Sequence, residues 1–344
     1  MSYNRRLPVY LLIDCSESMA GDSFSAVTRG LATLIGDLRS NPMALETAAI
    51  SVITFASSAQ QIVPLTEIIF FQMPKLKMGS GTALGSALRL WLDCMNREVV
   101  KTTADQKGDY KPICFLLTDG DPTDSWEEIA DHVRTAVTGK QANVVVVACG
   151  ADADTNKLRR ITETVLVVRE DQPNAFANFF KWVSASVSMT SQKIETGGGQ
   201  PITSPSLPEG MESAASGREA PLPDRWVFLH LRCVKNRGFY ILRHEKQESR
   251  YGSPPEYTAI AAHAVNDFEF QPGEEAPQSL QVSSDSLIGT QPCPYCQDPN
   301  WAMCANGHLH CCPRLQGSVS LTCPWCNATA SYGVASFDVG RGIG

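Results

Sequence analysis

Asp14, Ser16 and Ser18 stand at alternate positions immediately after the apolar run LPVYLLI (7–13). One carboxylate and two hydroxyls at this spacing can converge from a loop on a hard divalent cation, which takes oxygen ligands and keeps some water. Alone, the triplet reads equally as a helix cap, with a Ser or Asp oxygen accepting from backbone amides. Two further stretches add oxygen. In KMGSGTALGSALRL (77–90), Thr82 follows two loop glycines and starts a helical pattern. In FLLTDGDPTDSW (115–126), another apolar run ends in Asp119. No nucleophile–base pair accompanies these groups. His132 falls on the exposed face of a helical pattern, and Glu17, Asp22, Asp121 and Asp124 read as a solvated acidic rim.

A second set of residues offers sulfur. Seven of the twelve cysteines lie between Cys293 and Cys326. Cys293/Cys296 and Cys323/Cys326 form two Cys-x-x-Cys knuckles separated by 26 residues, each with Pro after its first Cys. Each such turn aims two thiolates at one Zn2+, and two turns complete a tetrahedron. Cys304, His308, His310, Cys311 and Cys312 lie between the knuckles and bring the potential ligands to nine, enough for a second Zn2+. Two arrangements stay open. One is a single ribbon on the four knuckle cysteines, with the histidines as ordinary hairpin residues. The other divides Cys293, Cys296, His310 and Cys311 from Cys304, His308, Cys323 and Cys326. The isolated Cys15, Cys94, Cys114, Cys149 and Cys233 read as buried free thiols. The usage suits free thiols and a metal cluster rather than a secreted disulfide framework.

Both sets need a scaffold. PVYLLID, AAISVITF, PICFLLTD and NVVVVACG are short, β-rich and nearly all apolar, as in strands covered on both faces. VLVVR (165–169) extends the sheet. Helical patterns cover 23–39, 83–99, 125–138 and 174–190. AAISVITFASSAQQIVPLT reads as a hairpin that places one antiparallel edge strand. The alternation predicts an α/β fold, a doubly wound, mainly parallel Rossmann-like sheet with one antiparallel edge strand. Ligands of such sheets bind at the C-terminal strand ends. Asp14 and Asp119 end parallel strands and face the same edge, so Asp14, Ser16, Ser18, Thr82 and Asp119 can surround one cation.

Residues 196–224 hold five Gly, five Pro and four Ser in 29 positions, a linker composition. The expected division is therefore 5–191 for the α/β domain, 192–224 for a flexible linker and 225–334 for a small β-rich, zinc-binding C-terminal domain. In that region RWVFLHLRCV and GFYILRHE predict a hairpin, PEYTAIAAHAV is ambiguous between strand and helix, and QPGEEAPQSLQVSSD is loop-like.

The DxSxS stretch, the GSGTALG loop and the TDG strand end, in this order, resemble the metal-ion-dependent adhesion site of a von Willebrand factor type A domain. The resemblance implies that Ser16, Ser18 and Thr82 ligate directly or through water, with Asp14 and Asp119 acting mainly through ordered water. The ion would be Mg2+, or Mn2+ or Ca2+ in its place. Glu17 departs from the Gly frequent there. Over about 5–190, the stretches GDYKPICFLLTDGDPTDSW, ISVITFASSAQQIVPLT and SNPMALETAAISV resemble the TerY-type branch of bacterial type A domains, associated with tellurite resistance and chemical stress. That family implies an intracellular, non-enzymatic adaptor encoded beside a PP2C-type phosphatase and a Ser/Thr protein kinase. The cysteine region resembles the metal-binding domain that follows some TerY-type domains. It lacks their central Cys-x-Cys, having Cys304-Ala305-Asn306 instead.

The expected function is capture of a protein partner's Asp or Glu by the bound cation, with no catalysis. A net charge of −7 argues against a general nucleic-acid binder. The alternative, a nucleic-acid-associated zinc ribbon, rests on seven basic residues against two acidic ones between Arg225 and Arg250, interleaved with aromatics. No run approaches the ~18 apolar residues of a membrane span. The short apolar run before Asp14 does not make a signal peptide. A cytoplasmic location is expected.

Overall fold

A computed structural model describes residues 5–119, 121–149, 153–169, 174–195, 206–214, 225–247, 255–267, 270–271, 281–313 and 318–340. The chain divides into two compact units. The first is Met1–Cys15, Asp22–Leu76 and Thr82–Pro221; the second is Ser16–Gly21, Lys77–Gly81 and Leu222–Gly344.

The chain begins with β1 (Leu7–Asp14), α1 (Asp22–Ser40), α2 (Pro42–Thr47), β2 (Ala48–Phe55), β3 (Ala59–Glu67), β4 (Met78–Gly79) and α3 (Leu84–Glu98). It continues through β5 (Ile113–Thr118), α4 (Glu127–Thr138), β6 (Asn143–Cys149), α5 (Thr155–Leu158), β7 (Val165–Val168), α6 (Ala175–Glu195) and β8 (Met211–Ser213). All but β4 belong to the first unit. Its sheet has the order β3-β2-β1-β5-β6-β7-β8. Neighbours from β2 to β7 run parallel; β3 and β8 are antiparallel edges. β1 is buried at every residue, so its two faces both need cover. On one face Tyr10 and Leu12 pack with Phe55, Leu116 and Val146, and with Leu88 and Trp91 of α3. Tyr10 and Trp91 meet edge-on, ring centroids 6.4 Å apart. α3 buries Leu84, Leu88, Trp91 and Met95, the i, i+4, i+7, i+11 stripe of an amphipathic helix. The predicted hairpin is β2–β3, and β3 is the predicted antiparallel edge.

β8 is a second antiparallel edge that the sequence pattern did not indicate. It lies inside the stretch expected to be linker and pairs with β7 in the register Val167↔Glu212. Three residues are too few for a hydrophobic period, and β7 supplies their hydrogen-bond partners. The rest of that stretch, 196–205 and 215–224, lies outside the described residues.

The second unit continues with β9 (Trp226–Arg232), β10 (Phe239–Lys246), β11 (Tyr257–Ala264), β12 (Phe270–Gln271), β13 (Gln281–Ser283) and β14 (Leu287–Ile288). Then come β15 (Asn300–Met303), β16 (Leu309–Cys312), β17 (Val319–Thr322), β18 (Thr329–Tyr332) and β19 (Asp338–Gly340). Six strands form one sheet, β14-β11-β10-β9-β16-β15. β9 and β10 are the expected hairpin, and the ambiguous PEYTAIAAHAV segment supplies strand β11. β17–β18 and β13–β19 are separate two-stranded pairs. β19 lies beyond 334, the expected end of the domain. Of the polar stretch 271–285, 281–283 form β13 and 272–280 lie outside the described residues.

Candidate metal centres

In the first unit Asp14 is the last residue of β1 and is wholly buried. Thr118, the last residue of neighbouring β5, donates its hydroxyl to Asp14 Oδ2 at 2.6 Å. Asp119 follows Thr118 directly and is half-buried. The two carboxylates therefore sit at the same C-terminal edge, as the parallel register requires.

Thr82 is wholly buried just before α3. Its amide donates to Thr123 Oγ1 at 3.0 Å, and the Thr123 amide donates to its carbonyl at 2.9 Å. The helix cap comes from elsewhere. Asp124 accepts from the amides of Gly85 and Ser86, both at 2.8 Å, and from the Ser86 hydroxyl at 2.9 Å. Gly85 is required by this close approach, because a Cβ there would stand 2.4 Å from the Ser125 carbonyl oxygen. Asp124 is therefore the capping group of α3, not a rim acid. The Thr82 hydroxyl, relieved of capping, has no hydrogen-bond partner among the described residues. An orphaned buried oxygen needs a partner, and a cation ligand role would supply one.

The segment Ser16–Gly21 groups with the second unit. The Ser16 and Ser18 hydroxyls are hydrogen-bonded to each other at 2.8 Å. Ser16 makes no side-chain cap bond to the short 3-10 turn that it precedes. The helix-cap reading thus fails at both Ser16 and Thr82, and the donor set that remains is all oxygen, suited to a hard cation. Glu17 is buried, with its carboxylate paired to His230, and is not part of a solvated rim. Asp121 is exposed and pairs with Lys157 at 2.9 Å. Asp22 and His132 are exposed, as expected. Cys15 is buried, and burial pushes its thiol pKa well up.

The sulfur ligands of the second unit fall into two groups whose ligand atoms all lie within 4.8 Å of one another. One is Cys233, Cys293, Cys296 and Cys311; the other is Cys304, His308, Cys323 and Cys326. In the first, Cys296 and Cys311 Sγ are 3.5 Å apart. In the second, Cys304 Sγ is 3.5 Å from His308 Nδ1 and 4.0 Å from Cys326 Sγ. Thiolates at ~2.3 Å from a tetrahedral zinc stand roughly 3.8 Å apart, so both groups fit one.

A single turn recurs in these groups. The amides of Cys233, Cys293 and Cys323 donate to the carbonyls of Gly238, Asp298 and Ala328, five positions on. The amides of Arg237, Gln297 and Asn327 return to the cysteine carbonyls, and these three residues are left-handed, with φ 65, 63 and 61°. At Cys304 the turn is one residue shorter and uses Gly307, at φ 81°. Each group joins one complete Cys-x-x-Cys knuckle to an incomplete turn. Cys233 has Asn236 where the second thiol would stand, and Cys311 fills the place.

The sequence division is corrected at one position. Cys233, read as an isolated buried thiol, occupies the place expected for His310. β16 runs parallel to β9 with His310 opposite Arg232, so the next residues, Cys311 and Cys233, become neighbours. The Val234 amide also donates to Cys311 Sγ at 3.2 Å. Successive strand residues point to opposite faces, so Cys311 cannot share its face with His310 or Cys312. His310 meets Tyr332 edge-on, and Cys312 packs beside Ala302 and Tyr332; both lie outside the two groups. The available signal was Cys233-x-x-x-x-Gly238, a turn of knuckle length between two strands.

Burial pushes Cys296 up to about 12 and lifts Cys311 well above the ordinary thiol range. Cys326 is pulled down to about 6, first by the Ala328 amide and then by the Asn306 side chain.

The basic residues of the first hairpin are engaged within the unit. Arg225 pairs with Glu245 at 2.5 Å, Arg232 with Asp267 at 2.8 Å and Lys235 with Asp298 at 3.5 Å, while Arg243 lies over the Trp226 ring at 3.7 Å. Arg250 lies outside the described residues. Among the described residues no helix is long and apolar enough to cross a membrane.

The von Willebrand factor type A domain matches residues 9–181, and the TerY-C metal binding domain matches residues 224–344. No curated protein matches the chain. Among solved structures, the chain is similar to proximal thread matrix protein 1 from the mussel byssus with zinc-occupied MIDAS motif. The identity is 16%, with 55% of this chain and 46% of that chain covered and a TM-score of 0.38. It is also similar to the conserved hypothetical protein BatB from Bacteroides thetaiotaomicron (18% identity, 55% and 98% covered, TM-score 0.36). A third is the ArnB paralog VWA2 from Sulfolobus acidocaldarius (12% identity, 99% and 67% covered, TM-score 0.37). The chain spans about half the length of the mussel protein. The two family matches support a metal-dependent role in protein interaction. The chain belongs to the von Willebrand factor type A domain family and carries a TerY-C metal binding domain after it.

Proposed function

We propose that the protein is a non-enzymatic adaptor that takes an acidic group of a protein partner through a divalent cation held by Asp14, Ser16, Ser18, Thr82 and Asp119. The orphaned Thr82 hydroxyl carries this reading, because a capping role would have given it a partner. Mg2+, or Mn2+ or Ca2+ in its place, would supply an electropositive centre that a carboxylate can join. Three neutral hydroxyls leave much of that charge uncompensated, and Thr118 holds the Asp14 carboxylate by its hydrogen bond. Zn2+ in both cysteine groups would act as a structural staple, since four protein ligands leave no open position. By its TerY-type resemblance the partner is a PP2C-type phosphatase or a Ser/Thr protein kinase of a tellurite or chemical stress response, in the cytoplasm.

The test is capture of partner from lysate at fixed Mg2+. Thr82→Ala abolishes capture and leaves zinc content and folding intact, because the hydroxyl bonds to nothing in the described fold. Capture by Thr82→Ala and Asp14→Ala at the wild-type level overturns the reading.

A further inference from the structure

The segment that carries Ser16 and Ser18 is itself gripped within the second unit. Glu17, between the two serines, has a fully buried side chain, and its carboxylate Oε1 is paired with His230 Nε2. His230 of β9 and His263 of β11 both register on Ile241 of β10, so the two histidines flank one row across the sheet. The segment ends at Gly21, φ +99°, where a Cβ would stand 2.6 Å from His263 Nδ1. Phe270 is the third hold. Its ring meets His230 edge-on at 5.1 Å, and its strand β12 pairs with β4, Phe270 opposite Met78, in the segment that leads to Thr82. Phe239 backs these rings, 5.7 Å from His230, 4.5 Å from Phe270 and 6.0 Å from Trp325 of the Cys323 knuckle.

We propose that His230 is a positioning residue for the serine loop: through Glu17 it fixes the backbone that presents the Ser16 and Ser18 hydroxyls, so cation affinity depends on the C-terminal sheet. A buried carboxylate that loses one of its partners is disfavoured and shifts to recover the lost interaction. Glu17 has a proposed ligand on either side along the chain, so its movement displaces both hydroxyls. The inference rests on the cation reading above, and the experiment separates the two.

Mn2+ is titrated into the zinc-loaded full chain, with free Mn2+ read by electron paramagnetic resonance. His230→Ala raises the Mn2+ Kd roughly tenfold, a typical coupling between linked sites. His230→Gln, which keeps an N–H donor, recovers most of the affinity, and His230→Ala adds nothing in a Glu17→Ala background. Asp14→Ala abolishes binding. An unchanged Kd for His230→Ala, with zinc retained and Asp14→Ala inactive, overturns the positioning role alone. Binding that survives Asp14→Ala overturns the cation reading and this inference with it. Should His230→Ala lose zinc, Glu17→Gln decides, because it weakens the same pair without touching the C-terminal sheet. A Kd unchanged in Glu17→Gln then overturns the positioning role.

Discussion

The group of Cys233, Cys293, Cys296 and Cys311 and the group of Cys304, His308, Cys323 and Cys326 use the same cysteine turn in different surroundings. The first sits within the sheet core, beside Leu231, Tyr240 and Leu309, and only Cys296 of its four ligands is partly exposed. The second lies by the β17–β18 hairpin, and both His308 and Cys326 are partly exposed. Burial holds Cys296 near 12 in the inner group, whereas backbone and side-chain donors hold Cys326 near 6 in the outer one. In the inner group burial disfavours the ionised forms of Cys296 and Cys311, which a cation would stabilise, so metal binding and core formation are linked there. The outer group has a thiolate ready and less core to lose. A ligand's burial, more than its turn, sets how much of the fold depends on its metal.

The largest expected effect is at the inner group. Cys233→Ser removes one Zn2+ per chain and unfolds the six-stranded sheet, a loss on the order of 10 kcal/mol. Metal content and hydrogen exchange across β9, β10 and β16 check it; retained protection there would break the comparison. Cys326→Ser comes next. It also loses one Zn2+, but protection disappears only from Val319–Tyr332 while β9 and β10 keep theirs.

The smallest effect sharpens the comparison by separating acid sensitivity of the sheet from metal loss. His244 of β10 is wholly buried, its ring nitrogens have no hydrogen-bond partner among the described residues, and burial lowers its pKa to about 4. Between pH ~6.5 and 4 the unfolded chain binds more protons than the folded one, so stability falls as pH drops through that window. The full loss is about 3 kcal/mol. His244→Leu removes this dependence, and unfolding free energies at pH 7 and pH 5 measure it. An equal pH loss in variant and wild type would assign acid sensitivity to the metal groups instead.

The placement of Asp14 and Asp119 at neighbouring strand ends and of Thr82 before α3 was legible because its signals are local. An apolar strand that ends in Asp, or a glycine loop that ends in Thr before a helical stripe, can be read within a dozen residues. The same holds for the knuckles, which are short turns. Asp124 was misread because a cap supplied by another loop has no sequence signature at the helix it caps. Glu17 was misread because charge predicts exposure, and its partner His230 lies 213 positions away. Cys233 was missed for the same reason of distance, although its turn has knuckle length.

The sequence by itself determined the parallel α/β order, the strand-end carboxylates, the hydroxyl loops and the two Cys-x-x-Cys turns. These follow from periodicity and turn chemistry over a few residues. Tertiary structure alone decided which thiols converge into one group, which acid caps α3, and that β8 joins the sheet. Those outcomes depend on strand register. The parallel pairing of β16 with β9 selects Cys311 with Cys233, and the two-residue period of the strand excludes its neighbours His310 and Cys312.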